Sequence, residues 1–260
     1  MSKSFTNKVL NFKPQQQDSR DYVYQNNNEI ELKVNHYLTD IPMKTCPILD
    51  QGNLGSCLAN AIYALMYITS NGKIDSSRLY NYLCYRASNN YSLTEDTGGN
   101  VRDGMKAIKN YGLCNEKLLP YIDILNKFKQ LPPRTCFVNI YNINNFVYNF
   151  IPQNISSIKN CLISGKPILA GIVIYDSFYN NNVNKYGLIP IPNTKSESVL
   201  GGHAILLVGY DDISQTVKFQ NSWGINWGNK GYGFLPYNYI LDYNLSFDLC
   251  TVSFTLNDSI

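Results

Sequence analysis

The stretch ILDQGNLGSCLANAIYALMYI, residues 48–68, decides how the rest of the chain is interpreted. Apolar side chains recur after Cys57 at the spacing of one helix face, at Leu58, Ala61, Ile62, Leu65 and Met66. The small residues Gly55 and Ser56 come just before the thiol, so we predict a helix that opens at Cys57. At a helix N-terminus, unpaired N–H groups favour a negatively charged sulfur. The alternative is an inert packed thiol, because free cysteine is among the most buried residue types.

The composition describes an ordinary folded chain. Its 260 residues are 44% hydrophobic and 16% charged, enough for a substantial core. A net charge of +3, with no basic run, argues against a nucleic-acid partner. The longest apolar runs, AIYALMYI and PILAGIVIY, fall well short of the roughly 18 residues that a membrane span requires. We therefore predict neither a nucleic-acid nor a membrane partner.

The cysteines do not form a metal-binding pattern. There are seven, at positions 46, 57, 84, 114, 136, 161 and 250, so at least one thiol stays unpaired within a monomer. The chain has no C-x-x-C pair and two histidines, which argues against a zinc site. We predict no metal and no cofactor.

Helical patterns come first and strand patterns second. Beyond the Cys57 helix, we predict a helix capped by Ser76 or Ser77, a third that closes at Gly112, and a fourth around 155–162. Strands are predicted in five runs, at 135–148, 166–175, 203–212, 216–224 and 232–240. The segment DDISQ, 211–215, joins two of these runs as a hairpin.

This order predicts an α+β chain in two lobes. We divide it into an N-terminal arm or short pro-segment at 1–40, a helical lobe at 41–128 that carries the nucleophile, and a β-rich lobe at 129–260 that carries a histidine and an asparagine.

Nucleophilic chemistry at Cys57 needs a base beside it, and the candidates are two histidines. His36 lies in the irregular arm, whereas His203 follows Gly201 and Gly202 and opens a buried strand. Glycines there let another chain approach closely. Position alone still allows a satisfied core histidine at His203.

The neighbouring strand ends at Asn221, which a short hairpin would bring beside His203 to orient its ring. Trp223 follows and could shield the pair from water. Gln51, together with the Cys57 N–H, could stabilise an oxyanion.

Three segments together resemble the papain-like cysteine proteases: DQGNLGSC at 50–57, GGHAILLVGYDD at 201–212 and FQNSWGINWGNKGYG at 219–233. The resemblance implies a two-lobed fold with an antiparallel, barrel-like β lobe and the active site in the cleft. It implies catalytic roles for Cys57, His203, Asn221 and Gln51. It also implies a set of substrate-binding residues: Gly98, Gly99, Val101, Gly171, Gly202, Ala204 and Trp223.

The chain departs from the family pattern in several places. Leu54 stands where relatives usually carry a cysteine three residues before the nucleophile, so that disulfide is absent, and Leu58 replaces the usual aromatic residue. The long helical pro-region is missing. Lacking a signal peptide and that disulfide, the chain is expected to be intracellular, from a low-GC microbe or a large virus.

The N-terminal arm suggests a zymogen. We predict that residues 18–24 cross the cleft and block it until the arm is cleaved; the alternative is a disordered or surface-packed tail.

The resemblance implies a cysteine endopeptidase that hydrolyses peptide or protein substrates through a thioester. Because Val101, Gly171 and Ala204 are small and uncharged, we expect a bulky apolar or aromatic residue two positions before the scissile bond. Two other uses of this fold stay open: a catalytically silent binding protein, and a transpeptidase or ligase using the same residues.

Overall fold

A computed structural model describes residues 8–25, 33–41, 44–122 and 127–257. Within these ranges the α-helices are α1 Cys57–Thr69, α2 Arg78–Ser88, α3 Val101–Tyr111, α4 Arg134–Val138, α5 Ile155–Ile163, α6 Asn181–Tyr186 and α7 Tyr237–Leu241. The strands are β1 Asn35–Tyr37, β2 Ile143–Phe150, β3 Ile168–Tyr175, β4 Val199–Asp211, β5 Thr216–Gln220, β6 Tyr232–Pro236 and β7 Ser246–Leu256.

All seven described strands belong to one antiparallel sheet. Its strand order is β2-β7-β3-β4-β5-β6, and β1 also pairs with β4. The path does not close on itself among the described residues, so the sheet is open and barrel-like. Long β4 is central, and its exposure falls along its length: Val199 and Leu200 are exposed, whereas the strand is buried from His203 to Tyr210. The sheet therefore presents His203 at the edge of the core.

Helix α1 is the core of the helical half. Eleven of its thirteen residues are buried, including Leu58, Ile62 and Leu65. It packs against both α2 and β4 and so lies between the helices and the sheet. Because α1 begins at Cys57, this packing fixes the position of the thiol relative to β4.

Local capping chemistry sets the bounds of the other two long helices. The Ser77 hydroxyl accepts a hydrogen bond from the N–H of Tyr80 and caps α2. Asn100 caps α3 in the same way through the N–H of Asp103. Gly112 ends α3 with a positive φ of 69°, a conformation that favours glycine.

The α+β architecture predicted from sequence is confirmed, and so is the hairpin at 211–215, which joins β4 to β5. Strand predictions are wrong at two places where the structure has a helix. The run predicted at 232–240 is a strand only as far as Pro236, which lacks an N–H for the ladder, and Tyr237–Leu241 form the helix α7. The run predicted at 135–148 is wrong at its start. Residues 134–138 form the short helix α4 after Pro133, and the strand β2 begins at Ile143. The alternating apolar pattern persisted through this turn, whereas the preceding Pro132-Pro133 pair favoured a helix start.

None of the helices in the described ranges has the length and apolar character needed to cross a lipid bilayer.

A buried arginine holds together the segment that leads to the predicted glycine strand at 98–99. The Arg86 guanidinium is fully buried, lies 4.1 Å from the Tyr82 ring centroid, and donates to the carbonyl oxygens of Glu95 at 2.7 Å and Phe128 at 2.9 Å. Longer hydrogen bonds reach the carbonyls of Ser92 and Leu93. These hydrogen bonds fix segment 92–95 against α2.

Arg86→Met should lower the free energy of unfolding by about 2–4 kcal/mol, because it leaves several buried carbonyl groups without donors. Urea unfolding followed by circular dichroism measures the change. Arg86→Lys keeps the positive charge but loses the planar set of guanidinium donors. Its free energy of unfolding should therefore lie between those of wild type and Arg86→Met. If the Arg86→Met variant were as stable as wild type, this role of the guanidinium would be contradicted.

Candidate active site

The first turn of α1 holds the Cys57 thiol. The preceding Ser56 is the N-cap residue, but its hydroxyl lies 2.5 Å from the Tyr121 hydroxyl and also accepts from the Asn60 amide at 3.1 Å. The backbone N–H groups of Cys57 and Leu58 interact with the sulfur and lower the pKa of the thiol. The first-turn N–H groups that sequence reasoning assigned to the sulfur therefore do face it.

Burial has the larger effect on this thiol. Cys57 is 1% exposed, and its desolvation raises the pKa of the thiol to about 11. Among the groups that lower the pKa, the largest contribution comes from the backbone N–H of Ala204, the residue after His203. The nearby Asp96 carboxylate raises the pKa further. The sulfur is therefore protonated at pH 7 in this state.

His203 and Asn221 come together across the β4–β5 hairpin. Nε2 of His203 lies 2.8 Å from Oδ1 of Asn221, and both residues are buried. The same Asn221 oxygen accepts the N–H of Ser222 at 2.8 Å, which fixes the amide orientation. Desolvation lowers the pKa of His203 to about 4, against the opposing effect of Asn221. The imidazole is therefore neutral at pH 7 here.

Trp223 covers this pair. Its ring centroid lies 4.9 Å from that of His203, and Tyr179 stacks on the indole at 5.6 Å. Among the described residues, three buried polar atoms at this point lack a hydrogen-bond partner: Nδ1 of His203, Nδ2 of Asn221 and Nε1 of Trp223. Such clustered unsatisfied groups are unusual in a folded core and are typical of a functional site.

The Gln51 side chain is held from two sides. Its Oε1 accepts the Ser222 hydroxyl at 2.7 Å, and its Nε2 donates to the Leu54 carbonyl at 3.0 Å. An amide nitrogen carries two hydrogens, so a second N–H remains for another acceptor. The Tyr121 hydroxyl donates to the Gln51 carbonyl at 2.7 Å and thereby links Gln51 to Ser56.

Residues 8–13 of the N-terminal arm lie along the predicted substrate-binding glycines. The N–H of Phe12 donates to the Gly202 carbonyl at 3.2 Å, and the N–H of Lys13 donates to the Gly99 carbonyl at 3.1 Å. A Cβ on Gly98 or Gly202 would collide with arm backbone oxygens. These glycines thus let an extended chain lie directly against their backbones.

Further along, the arm is fixed outside the cleft. Arg102 on α3 forms ion pairs with Asp18 at 3.2 Å and Asp21 at 2.7 Å. The backbone of Tyr22 and Tyr24 then hydrogen-bonds with Phe150 at the end of β2. The prediction that residues 18–24 cross the cleft is therefore wrong: residues 8–13 cross it, and residues 18–24 are packed on the surface. Asp18 and Asp21 pair with Arg102, and because Arg102 lies outside the glycine-lined cleft, this part of the arm lies outside it too.

The Phe12 side chain fills a pocket in the β lobe. It is 3% exposed and stacks on Phe247 with ring centroids 5.5 Å apart. A Cβ on Gly171 would meet both of these rings, so the glycine forms the floor of the pocket. Ala204 pairs with Gly171 across β3 and β4, and both Ala204 and Val101 are buried.

Sequence reasoning missed two residues at this site. Phe247 reaches the pocket because β7 pairs with β3 opposite Gly171, a register that local sequence does not reveal. Asp96 accepts the N–H of Gly55 at 2.8 Å, although 41 positions separate them. The one available signal for Asp96 was its place two residues before Gly98.

Comparison with known proteins gives a consistent result. The family model described as papain family cysteine protease matches residues 39–245. A peptidase C1-like protein, L477, of Acanthamoeba polyphaga mimivirus is 36% identical over 213 residues, which cover 77% of this chain and 67% of the viral protein. Thiol protease aleurain of Arabidopsis thaliana is 28% identical, and the match covers 72% of this chain and 51% of aleurain.

Solved structures share the fold. Xylellain, a cysteine protease from Xylella fastidiosa, superposes with a TM-score of 0.85 at 30% identity, covering 95% of this chain and 96% of that one. Digestive procathepsin L 3 of Tenebrio molitor gives a TM-score of 0.67 at 18% identity, over 90% of this chain and 74% of that one. The matched range contains Gln51, Cys57, His203 and Asn221. The chain therefore belongs to the papain family of cysteine proteases.

Proposed function

We propose that this protein is a cysteine endopeptidase that cleaves peptide bonds through a thioester intermediate on Cys57. The observation that carries the proposal is the buried His203–Asn221 hydrogen bond, at 2.8 Å. The Cys57 thiol opens α1 and interacts with the backbone N–H of Ala204, the residue directly after His203. A cleft that already accepts extended backbone at Gly99 and Gly202 supports a peptide substrate. The thiol, the imidazole and the peptide-binding glycines together suit acyl transfer.

In the proposed reaction, each of the four active-site side chains has a defined role. The Cys57 thiolate attacks the scissile carbonyl carbon, and the imidazolium of His203 gives its Nδ1 proton to the leaving amine. His203 then takes a proton from water, which attacks the thioester and releases the acid. Asn221 holds Nε2–H, so that Nδ1 remains the nitrogen that exchanges protons. The free N–H of the Gln51 amide and the Cys57 N–H stabilise the oxyanion.

We further propose that the arm keeps the enzyme inactive until it is displaced or cleaved. Phe12 and Lys13 hold the hydrogen-bonding positions of the two cleft walls, so a peptide cannot bind there at the same time. The covered site also favours the neutral thiol and neutral imidazole, because both groups are desolvated. Access of water after the arm leaves would favour the thiolate–imidazolium pair.

The arm also points to the substrate preference. Phe12 occupies the pocket floored by Gly171 and closed by Phe247, and this pocket presents apolar walls. We assign it to the residue two positions before the scissile bond. Val101 and Ala204 are proposed to complete its lining.

Gln51→Ala should lower kcat by about 10²–10³, because it removes one oxyanion donor, while KM changes little. Fluorogenic peptides measure both constants after limited proteolysis has removed the arm, with Cys57→Ala as the inactive control. Product masses distinguish hydrolysis from the other uses of this site. Ligated products would show a transpeptidase, and the absence of any turnover after arm removal would indicate a binding protein; either outcome contradicts the proposal.

A peptide library varied two residues before the cleavage site should show a preference for Phe or Leu of at least about tenfold over Ala, since larger side chains fill the apolar pocket. Cleavage rates determined by mass spectrometry give the ranking. A preference for Arg or for acidic residues would contradict the assignment of the Phe12 pocket.

Phe12→Ala should raise the rate at which iodoacetamide alkylates Cys57 at pH 7. With a thiol pKa of about 11, about one thiol in ten thousand is ionised at pH 7, so wild-type alkylation should be slow and rise steeply with pH. Loss of the Phe12 ring loosens the arm, so the alkylation rate of Cys57 should begin to rise at a lower pH. Peptide mapping identifies Cys57 among the seven cysteines.

Tyr22→Ala is the matched control for this test. Tyr22 lies on the same arm but is 70% exposed and outside the cleft, so its removal should leave the profile unchanged. Equal alkylation and equal kcat/KM in wild type and Phe12→Ala would contradict the inhibitory role of the arm.

A further inference from the structure

Asp96 links three parts of the active site through one carboxylate. Its Oδ2 accepts the N–H of Gly55, two residues before the nucleophile, at 2.8 Å, and its Oδ1 accepts the hydroxyl of Tyr82 on α2. Asp96 itself stands two residues before Gly98, where the predicted substrate-binding strand begins. The carboxylate therefore joins the loop that carries the thiol to the strand that receives the peptide.

We propose that Asp96 is a positioning residue of the active site: its hydrogen bond to Gly55 fixes the Cys57 loop relative to the glycine strand and holds a carboxylate two residues before the nucleophile. This inference rests on the proposed peptidase function. It gives a role to a residue for which the sequence motifs provide none. Asp96 acts through Gly55 and through its charge, without contact with the reacting atoms.

The need for such a link follows from the chain itself. Leu54 replaces the cysteine that relatives usually carry three residues before the nucleophile, and Cys57 and the other six cysteines are all unbridged. The loop 51–56 is therefore held by hydrogen bonds: Gln51 with Ser222, Ser56 with Tyr121, and Gly55 with Asp96. Of these, the Asp96 contact is the one made to the glycine strand segment.

The support behind Asp96 is rigid. Arg86 is buried against the Tyr82 ring and donates to the carbonyl of Glu95, the residue directly before Asp96. Tyr82 is fully buried and presents its hydroxyl to the carboxylate. A carboxylate fixed in this way can hold the Gly55 N–H within the fraction of an ångström that catalysis requires.

The negative charge of Asp96 affects the pKa of the Cys57 thiol. Among the described residues, the phenol of Tyr85 and the carboxylate of Asp96 interact electrostatically with the Cys57 sulfur. Strand β4 contributes the N–H of Ala204, next to His203, whose imidazole is the proposed ion-pair partner of the thiolate. Burial raises the pKa of Tyr85 well above its ordinary value, so the phenol stays neutral, whereas the Asp96 charge raises the pKa of Cys57. A neutral substitute at position 96 should therefore lower the pKa of the thiol.

The test separates position from charge with two variants. They are made in the full chain carrying Phe12→Ala, because Asn11 of the arm also donates to Asp96, to its carbonyl at 3.0 Å and to its carboxylate Oδ1 at 3.4 Å. Asp96→Ala removes the acceptor and the charge and should lower kcat/KM by about a hundredfold. Asp96→Asn keeps an oxygen acceptor for Gly55, and its Nδ2 can donate to the Tyr82 hydroxyl, which then accepts. We therefore expect kcat/KM to recover to within about threefold of the parent.

The pH dependence of Cys57 alkylation gives the second readout. In Asp96→Asn, the rise in rate should move to lower pH by about half a unit or more, because the negative charge is gone. Glu95→Gln is the matched control: it removes the same charge one residue earlier, from an exposed side chain, and should change neither rate nor profile.

Three outcomes would overturn the proposal: both Asp96 variants behave like the parent; both lose activity equally with an unshifted profile, as a purely structural residue would; or Glu95→Gln shifts the profile as much as Asp96→Asn. If the parent cleaves no peptide, the peptidase assignment fails by itself. The alkylation profiles still decide the role of Asp96, because they require no substrate. Asp96→Asn differs little in shape from the parent, so it decides the question even if Asp96→Ala does not fold.

Discussion

The whole site depends on where the first turn of α1 meets β4. The helix brings the sulfur of Cys57 to its own N–H groups, and β4 adds the N–H of Ala204, directly after His203. These donors stabilise a thiolate, whereas burial opposes it. With the arm in the cleft, burial has the larger effect, since the pKa of the thiol rises and that of the imidazole falls. In the zymogen proposed above, replacement of the arm by water would shift this balance toward the thiolate.

Sequence alone predicted the parts of this site that local chemistry determines. A thiol before an apolar helix stripe, a histidine after Gly201-Gly202 and an asparagine at the end of the next strand were all visible as short patterns. The His203–Asn221 approach followed because a hairpin of known length joins their strands. Likewise, Ser77 and Gly112 gave the helix ends, since capping depends on the residue at that position.

The remaining parts depended on contacts between distant segments. Phe247 lines the Phe12 pocket through the register of β7 against β3, and Asp96 reaches Gly55 through the packing of α2. Neither strand register nor helix packing can be predicted from a local sequence pattern. The path of the arm was misjudged for the same reason: Asp18 and Asp21 mark the position of Arg102, a partner 81 or 84 residues away. Charged residues in an arm reveal that a partner exists but not where it lies.

The covalent connection of the arm adds to the contacts by which it covers the site. A tethered segment competes with a free peptide at an effective concentration of the order of millimolar, so weak local binding suffices to exclude substrate. Within the cleft the arm is held by the backbone hydrogen bonds of Phe12 and Lys13 and by the Phe12 ring. Side-chain contacts from Lys8 to Asp50 and from Asn11 to Asp96 add to these, while the Arg102 ion pairs hold the arm outside the cleft. Once cleaved, the same segment would lose the tether and bind at its own modest affinity. The proposed activation therefore requires cleavage of the chain beyond the arm and no change in the residues that line the cleft.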